Sequence, residues 1–194
     1  GQPVINLAIM FLIVFGGIGF LTWEDITVHG LHFKKYRMQS KVILSVTGVL
    51  ILIPAVYFYF CEFSKGAWAD FSVPEKVLAS MFQSVTPRTA GFNTVELTAL
   101  TEAGQMMMII LMLIGGSPGS TAGGMKTTTA AVLFASAIAV FRQKEEAHFF
   151  GRRVPEDTIK NAATILLMYL VLFLTGGIAV SYTHLRAHET LSDL

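Results

Sequence analysis

Charge is scarce in this 194-residue chain: Asp, Glu, Lys and Arg together make up 14% of it, against 53% hydrophobic residues, and the net charge is +1. With a mean hydropathy of +0.60 this is a membrane composition, which excludes an ordinary soluble domain. There is no long basic run, so neither nucleic acid nor an acidic polymer is an expected partner. A single cysteine, Cys61, excludes an internal disulfide framework and a multi-cysteine metal site. His29, His32 and His148 lie in polar connectors without ligand spacing, and His184 and His188 fall in the C-terminal tail. Also missing is a basic n-region or cleavage site ahead of the first apolar run, so the chain reads as an internal piece of a longer protein.

What is present is a series of apolar runs, one of them interrupted. The run beginning near Leu97 is broken at residues 114–129, Ile-Gly-Gly-Ser-Pro-Gly-Ser-Thr-Ala-Gly-Gly-Met-Lys-Thr-Thr-Thr, and resumes at Ala130. Unpaired backbone groups in hydrocarbon cost several kcal/mol each, so such a break survives only when shielded by protein or lining a water-filled path. Its glycines give conformational freedom and Pro118 removes a helix donor, which predicts a flexible intramembrane loop. Two other readings compete. A phosphate-cradling loop needs a glycine directly before the lysine, where Met125 stands, and an upstream strand that residues 106–112 do not suggest. A cytosolic linker between two separate spans fits the short apolar run 130–141.

Residues 3–22 are long and apolar enough to span the bilayer, with Gly16, Gly17 and Gly19 explained by close helix packing. Residues 23–41 carry Lys34, Lys35, Arg37 and Lys41 and are assigned to the cytoplasm by the positive-inside rule. A second span covers 42–61, with Pro54 producing at most a kink and Tyr57, Phe58, Tyr59 and Phe60 suited to the outer interface. Ser72 and Glu75 have capping-box spacing, Pro74 fits a first turn, and a helix of about a dozen residues follows, too short to span. If it dips in from outside, the negative end of its dipole favours a cation at mid-depth. The segment 86–94 then climbs back extended, its carbonyls able to replace a cation's hydration shell, with Gly91 allowing an unusual backbone conformation. An ordinary extracellular hairpin turning at Pro87 and Gly91 is the alternative.

Arg88 would repel a cation, so its side chain is expected to turn away and brace the loop, with Glu96 the candidate acceptor. Lys126 either faces the path and disfavours cation passage while the loop is closed, or snorkels at the cytoplasmic surface. Residues 142–160 form a second basic, cytoplasmic connector, and the last span is expected over 162–181.

With Thr89-Ala90-Gly91-Phe92-Asn93 and residues 116–129 in this order of elements, the chain resembles the Trk/Ktr/HKT superfamily of cation transporters. Together with Phe150-Gly151-Arg152-Arg153, the second motif most resembles the membrane subunit of bacterial Ktr potassium uptake systems. The resemblance implies an all-α membrane protein of helix–pore loop–helix repeats of the potassium-channel-like type, the third repeat having a broken helix. Residues 1–41 would be the last helix of repeat two and its cytoplasmic link, 42–160 repeat three, and 161–181 the first helix of repeat four. Backbone carbonyls of Thr89, Ala90, Gly91 and Phe92 would form a quarter of a potassium filter, with K+, and Na+ as a second candidate, the transported ion and no other cofactor or metal. Gly115, Gly116, Ser117, Pro118, Gly119, Ser120, Thr121, Ala122, Gly123, Gly124, Lys126 and Thr127 would form the gate loop. The implied setting is a multi-pass protein of the bacterial plasma membrane, in contact with the lipid bilayer, homodimeric, bound to a cytosolic nucleotide-binding regulatory subunit, and without covalent chemistry. Three of the four filter segments are absent, so the fragment is not expected to conduct alone.

Residues 182–194 abandon the apolar pattern and resemble translated adapter sequence at the ends of truncated metagenomic reading frames, a non-native tail. Two rivals remain. Another secondary transporter would use the broken helix as a substrate site, so changes at 119–124 would abolish binding while Gly91 could change freely. A membrane nucleotide hydrolase using Lys126 would need an acidic magnesium ligand that the sequence does not offer.

Overall fold

The computed structural model describes residues 2–64, 68–88, 90–144 and 146–192, with side chains to residue 180. Thr89 and the last two residues of the tail lie outside the described residues.

Helix α1 (Pro3–Ile18) begins on a first-turn proline and stops at Gly19, whose φ is +91°. From there α2 (Phe20–His29) leaves at 96° to α1. The straight span expected over 3–22 is therefore bent, and the polar connector expected from residue 23 begins as helix. An L side chain rarely adopts the backbone conformation of Gly19, so glycine is what permits the corner.

The long helix α3 (Met38–Tyr57) continues past Pro54 and ends in a π-helical turn, Phe58–Glu62. Here the expected outer-interface aromatic run divides. Phe60 is exposed, but Phe58 is fully buried with Phe63, Trp68, Ala79, Leu100, Met108 and Leu111. The π-helical turn faces Phe58 inward, where close packing rather than interfacial anchoring decides its place. The short helix α4 (Val73–Val85) starts as expected: the Ser72 N–H and hydroxyl both donate to Glu75 Oε2, at 2.9 and 2.6 Å. Its other end packs Phe82 and Val85 against Met10 of α1.

The broken helix is present as α5 (Glu102–Leu113) and α6 (Thr127–Phe141) with the glycine-rich segment between them. Thr101 caps α5 by accepting from the Gly104 N–H at 3.1 Å, and the buried Glu62 carboxylate accepts from both the N–H and the hydroxyl of Thr101. The end of α3 is thereby tied to the start of α5. Beyond α6, β1 (His148–Phe149) and β2 (Arg152–Arg153) pair antiparallel across Phe150 and Gly151, both with positive φ. Helix α7 (Glu156–Ser192) runs on from there, starting before and ending after the span expected over 162–181.

Among the described residues two helical stretches, Met38–Glu62 and Glu156–Val180, are long and apolar enough to cross a membrane, and the bent α1–α2 pair can count as a third. Residues of both long stretches are largely exposed in the chain by itself.

Candidate functional site

The segment between α5 and α6 is not a loose loop. Its two arms are joined by backbone bonds: Gly115 N–H to Met125 O at 2.9 Å, Gly116 N–H to Gly123 O at 3.2 Å, Met125 N–H to Leu113 O at 3.3 Å and Thr127 N–H to Gly116 O at 3.1 Å. Inside the hairpin the buried hydroxyls of Ser117 and Thr127 lie 3.0 Å apart in a hydrogen bond. Gly115 and Gly116 serve close contact here, whereas a Cβ on Gly119 or Gly123 would meet nothing within 4 Å. A Cβ on Gly115 would stand 1.7 Å from the Gly123 carbonyl oxygen, and one on Gly116 2.4 Å from the Ala122 Cβ.

The hairpin is also docked on the corner between α1 and α2. Ser117 N–H donates to Gly17 O at 2.9 Å, and Phe20 N–H donates to Gly119 O at 3.1 Å. A Cβ at Gly19 would meet Pro118 O at 2.5 Å, and one at Gly16 would meet the Thr121 hydroxyl at 3.3 Å. Gly16 and Gly19 therefore admit a loop, not the neighbouring helix expected of them, while a Cβ on Gly17 would meet nothing within 4 Å. Gly16, Gly17, Gly19 and Phe20 thus belong to the site although sequence reasoning left them out; three glycines within four positions were the signal.

In the phosphate-cradle candidate, residues 119–127, the amides of Ser120, Met125 and Thr127 that a phosphate would need are occupied by the carbonyls of Ser117, Leu113 and Gly116. Lys126 folds back, its Nζ donating to Ala122 O at 2.7 Å. It closes its own loop.

At the other candidate segment, α4 runs directly into a tight turn rather than an extended stretch. Thr86 N–H bonds Phe82 O, Arg88 N–H bonds Val85 O, and the amides of Ala90 and Gly91 both return to Thr86 O at 3.3 Å. Gly91 has φ +71° and open space where a Cβ would be, so backbone conformation alone demands glycine there. The Thr86 hydroxyl donates to the Phe92 carbonyl, a contact that sequence reasoning did not anticipate. Among the described residues, the carbonyls of Ala90 and Gly91 accept no hydrogen bond. Arg88 is 5% exposed, and among the described residues no ion pair joins it to Glu96, whose carboxylate instead accepts from Thr98 Oγ1 at 2.8 Å. The structure thus folds the described filter candidates into one turn at the end of α4 and the gate-loop candidates into one hairpin against α1. Among the described residues, no backbone bond links turn and hairpin.

Comparison with known proteins matches residues 1–190 to the family TrkH, described as cation transport protein. The Ktr system potassium uptake protein B of Bacillus subtilis (strain 168) is 35% identical over 184 residues, 94% of this chain and 41% of that protein. Potassium/sodium uptake protein NtpJ of Enterococcus hirae is 35% identical over 177 residues, 91% of this chain and 39% of that protein. The chain spans about two fifths of the length of these curated relatives. Its fold is similar to that of the potassium transporter TrkH from Vibrio parahaemolyticus, with a TM-score of 0.71 at 18% identity over 90% of this chain and 38% of that one. These likenesses and the apolar helices describe a multi-pass membrane protein of a transport family, not an enzyme. A match over nearly all of its length establishes the lineage: the chain belongs to the TrkH cation transport protein family.

Proposed function

We propose that the chain is part of a potassium-translocating membrane subunit, in which ions move down their electrochemical gradient through a carbonyl-lined filter and past the glycine-rich hairpin. The observation that carries this reading is the turn after α4: two adjacent carbonyls, of Ala90 and Gly91, accept no hydrogen bond among the described residues and sit where the helix dipole ends. Thr89 and Phe92 complete the proposed quarter-filter, and Phe92 O keeps a second lone pair beside its bond from Thr86. Residues 115–127 are the proposed gate, blocking the path in the hairpin form and clearing it when the arms part.

On this reading residues 1–41 close repeat two, 42–160 make repeat three and 161–181 open repeat four, while 182–194 are a non-native tail. The names of the relatives support potassium as cargo, with sodium added by NtpJ. A homodimer in the bacterial plasma membrane, regulated by a cytosolic nucleotide-binding subunit, completes the proposal. The connectors at 23–41 and 142–160 share the basic, cytoplasmic side that such a subunit would meet.

The test places residues 1–181 in a complete Ktr-type scaffold, in cells lacking potassium uptake, and compares wild type with Gly91→Ser. Serine cannot easily hold φ +71°, so lost uptake or lost selectivity is expected. A wild-type chimera that transports potassium and a Gly91→Ser chimera indistinguishable from it would remove residues 89–92 from the filter.

A further inference from the structure

A cleft of about 760 Å³ runs between α3, α5 and α6, apart from the filter turn and the face of the hairpin docked on α1. Val49 and Leu50 of α3, Met107 and Ile110 of α5, and Phe134 and Ile138 of α6 line its body. Val49, Ile110 and Phe134 are half exposed or more, at 52, 50 and 71%. Along α6 the lining extends from Ala130 to Arg142, about 18 Å at 1.5 Å per residue, slightly more than one leaflet of a hydrocarbon core about 30 Å thick.

One end alone is polar. Arg142, Lys144, Glu146 and His148 form it, on the connector assigned to the cytoplasm by its positive charge. Glu146 is already engaged, by Arg153 at 2.8 Å and His148 at 3.9 Å. Arg142 and Lys144 have no ion-pair partner among the described residues and stay exposed. An apolar body one leaflet deep with a cationic mouth at the cytoplasmic surface complements one kind of molecule.

We propose that this cleft holds an anionic phospholipid of the cytoplasmic leaflet, its acyl chain along α6 between α3 and α5 and its headgroup phosphate at Arg142 and Lys144. Basic pockets between membrane helices on the cytoplasmic side are where anionic headgroups are retained. A free phosphate would leave the apolar walls uncovered, and a neutral lipid would leave the two cations unmatched. The proposal rests on the membrane orientation of the chain and not on its filter or gate.

The whole chain, purified in mild detergent, is offered equimolar phosphatidylglycerol and phosphatidylcholine, and retained lipid is counted by native mass spectrometry. Phosphatidylglycerol should be retained in preference. The double variant Arg142→Ala/Lys144→Ala should reduce its retention about 25-fold, a factor of about five for each cation. Lys34→Ala/Lys35→Ala, removing two exposed cations of the other connector, should leave it unchanged. Ala135→Trp, which fills the body of the cleft, should displace both lipids. A phosphatidylglycerol with a photoreactive acyl chain should label α3 and α6. Equal retention of the two lipids, or undiminished phosphatidylglycerol in the Arg142/Lys144 variant, would overturn the proposal. So would labels confined to other helices, which would mean that another stretch of a longer polypeptide or a second copy fills the cleft.

Discussion

Replacing Gly115 by alanine puts a methyl carbon 1.7 Å from the Gly123 carbonyl oxygen, 2.7 Å from its carbon and 2.9 Å from the Gly124 Cα. All three are backbone atoms, so no side-chain rotation relieves the clash. Restoring a van der Waals distance of about 3.5 Å requires the two arms to part by about 1.8 Å. The Gly116 N–H to Gly123 O bond, now 3.2 Å, would then lie well beyond hydrogen-bonding distance, and the Gly115 N–H to Met125 O bond would be strained. Losing one such bond costs about 1 kcal/mol net, and an amide left buried without a partner costs about 1–3 kcal/mol. The hairpin form should therefore be disfavoured by about 2–4 kcal/mol, a shift of about 30-fold to about a thousand-fold in its equilibrium with open forms. Gly123→Ala is the matched control, since a Cβ there meets nothing within 4 Å. Amide hydrogen exchange over residues 114–127 of the reconstituted protein reads the difference directly. Gly115→Ala should lose protection across both arms and Gly123→Ala should keep it. In the transporting chimera the same pair should separate into leaking or unregulated uptake and near-normal uptake. Full exchange protection in Gly115→Ala would refute the contact argument whatever the transport result.

Acid should loosen the start of α4. The hydroxyl of Ser72, and then its amide, hold the Glu75 carboxyl below its ordinary 4.5, so their contribution to the fold is present above that value and is lost as pH falls through the lowered one. Amide protection in the first turn of α4, taken against the intrinsic exchange rate at each pH, should accordingly fall on going from pH 5 to pH 3, and Glu75→Gln should show no such step. Thr101→Ala removes the cap of α5 and one donor to Glu62, which together should destabilise the chain by about 2–4 kcal/mol and lower its melting temperature in detergent. An unchanged melting temperature would show that the tie between α3 and α5 carries no stability.

Features written in local chemistry could be read before any coordinates. Ser72, Pro74 and Glu75 mark the start of α4 within a residue, and the glycines, proline and hydroxyls after Leu113 mark the break between α5 and α6. What escaped depends on partners distant in sequence. The corner at Gly19 sits in an apolar run with no proline near it, and its cause lies a hundred residues away, in the carbonyls of Pro118 and Gly119. Phe58 looks like its aromatic neighbours in sequence, and only the π-helical turn singles it out for burial. The β1–β2 hairpin was missed because Phe150 takes a positive φ, a conformation that its side chain does not advertise. For the site, the two motifs were legible as stretches. Their internal bonding was not, because the same glycines permit a mobile loop or a close contact, and which of the two they serve is decided by the atoms brought opposite them.

Two of the links that dock the hairpin on the α1–α2 corner are made by main-chain atoms on both sides, Ser117 N–H on Gly17 O and Phe20 N–H on Gly119 O, beside a third from the Thr121 hydroxyl to Gly16 O at 3.4 Å. No residue's functional group can be deleted to cut either main-chain link, and a conventional mutational scan would register only the Thr121 hydroxyl and the resistance of residues 16 and 19 to enlargement. Amide-to-ester replacement is the scalpel suited to this joint. An ester at position 20 or 117 removes one donor while preserving every side chain, so the two links can be severed separately and their mechanical shares compared.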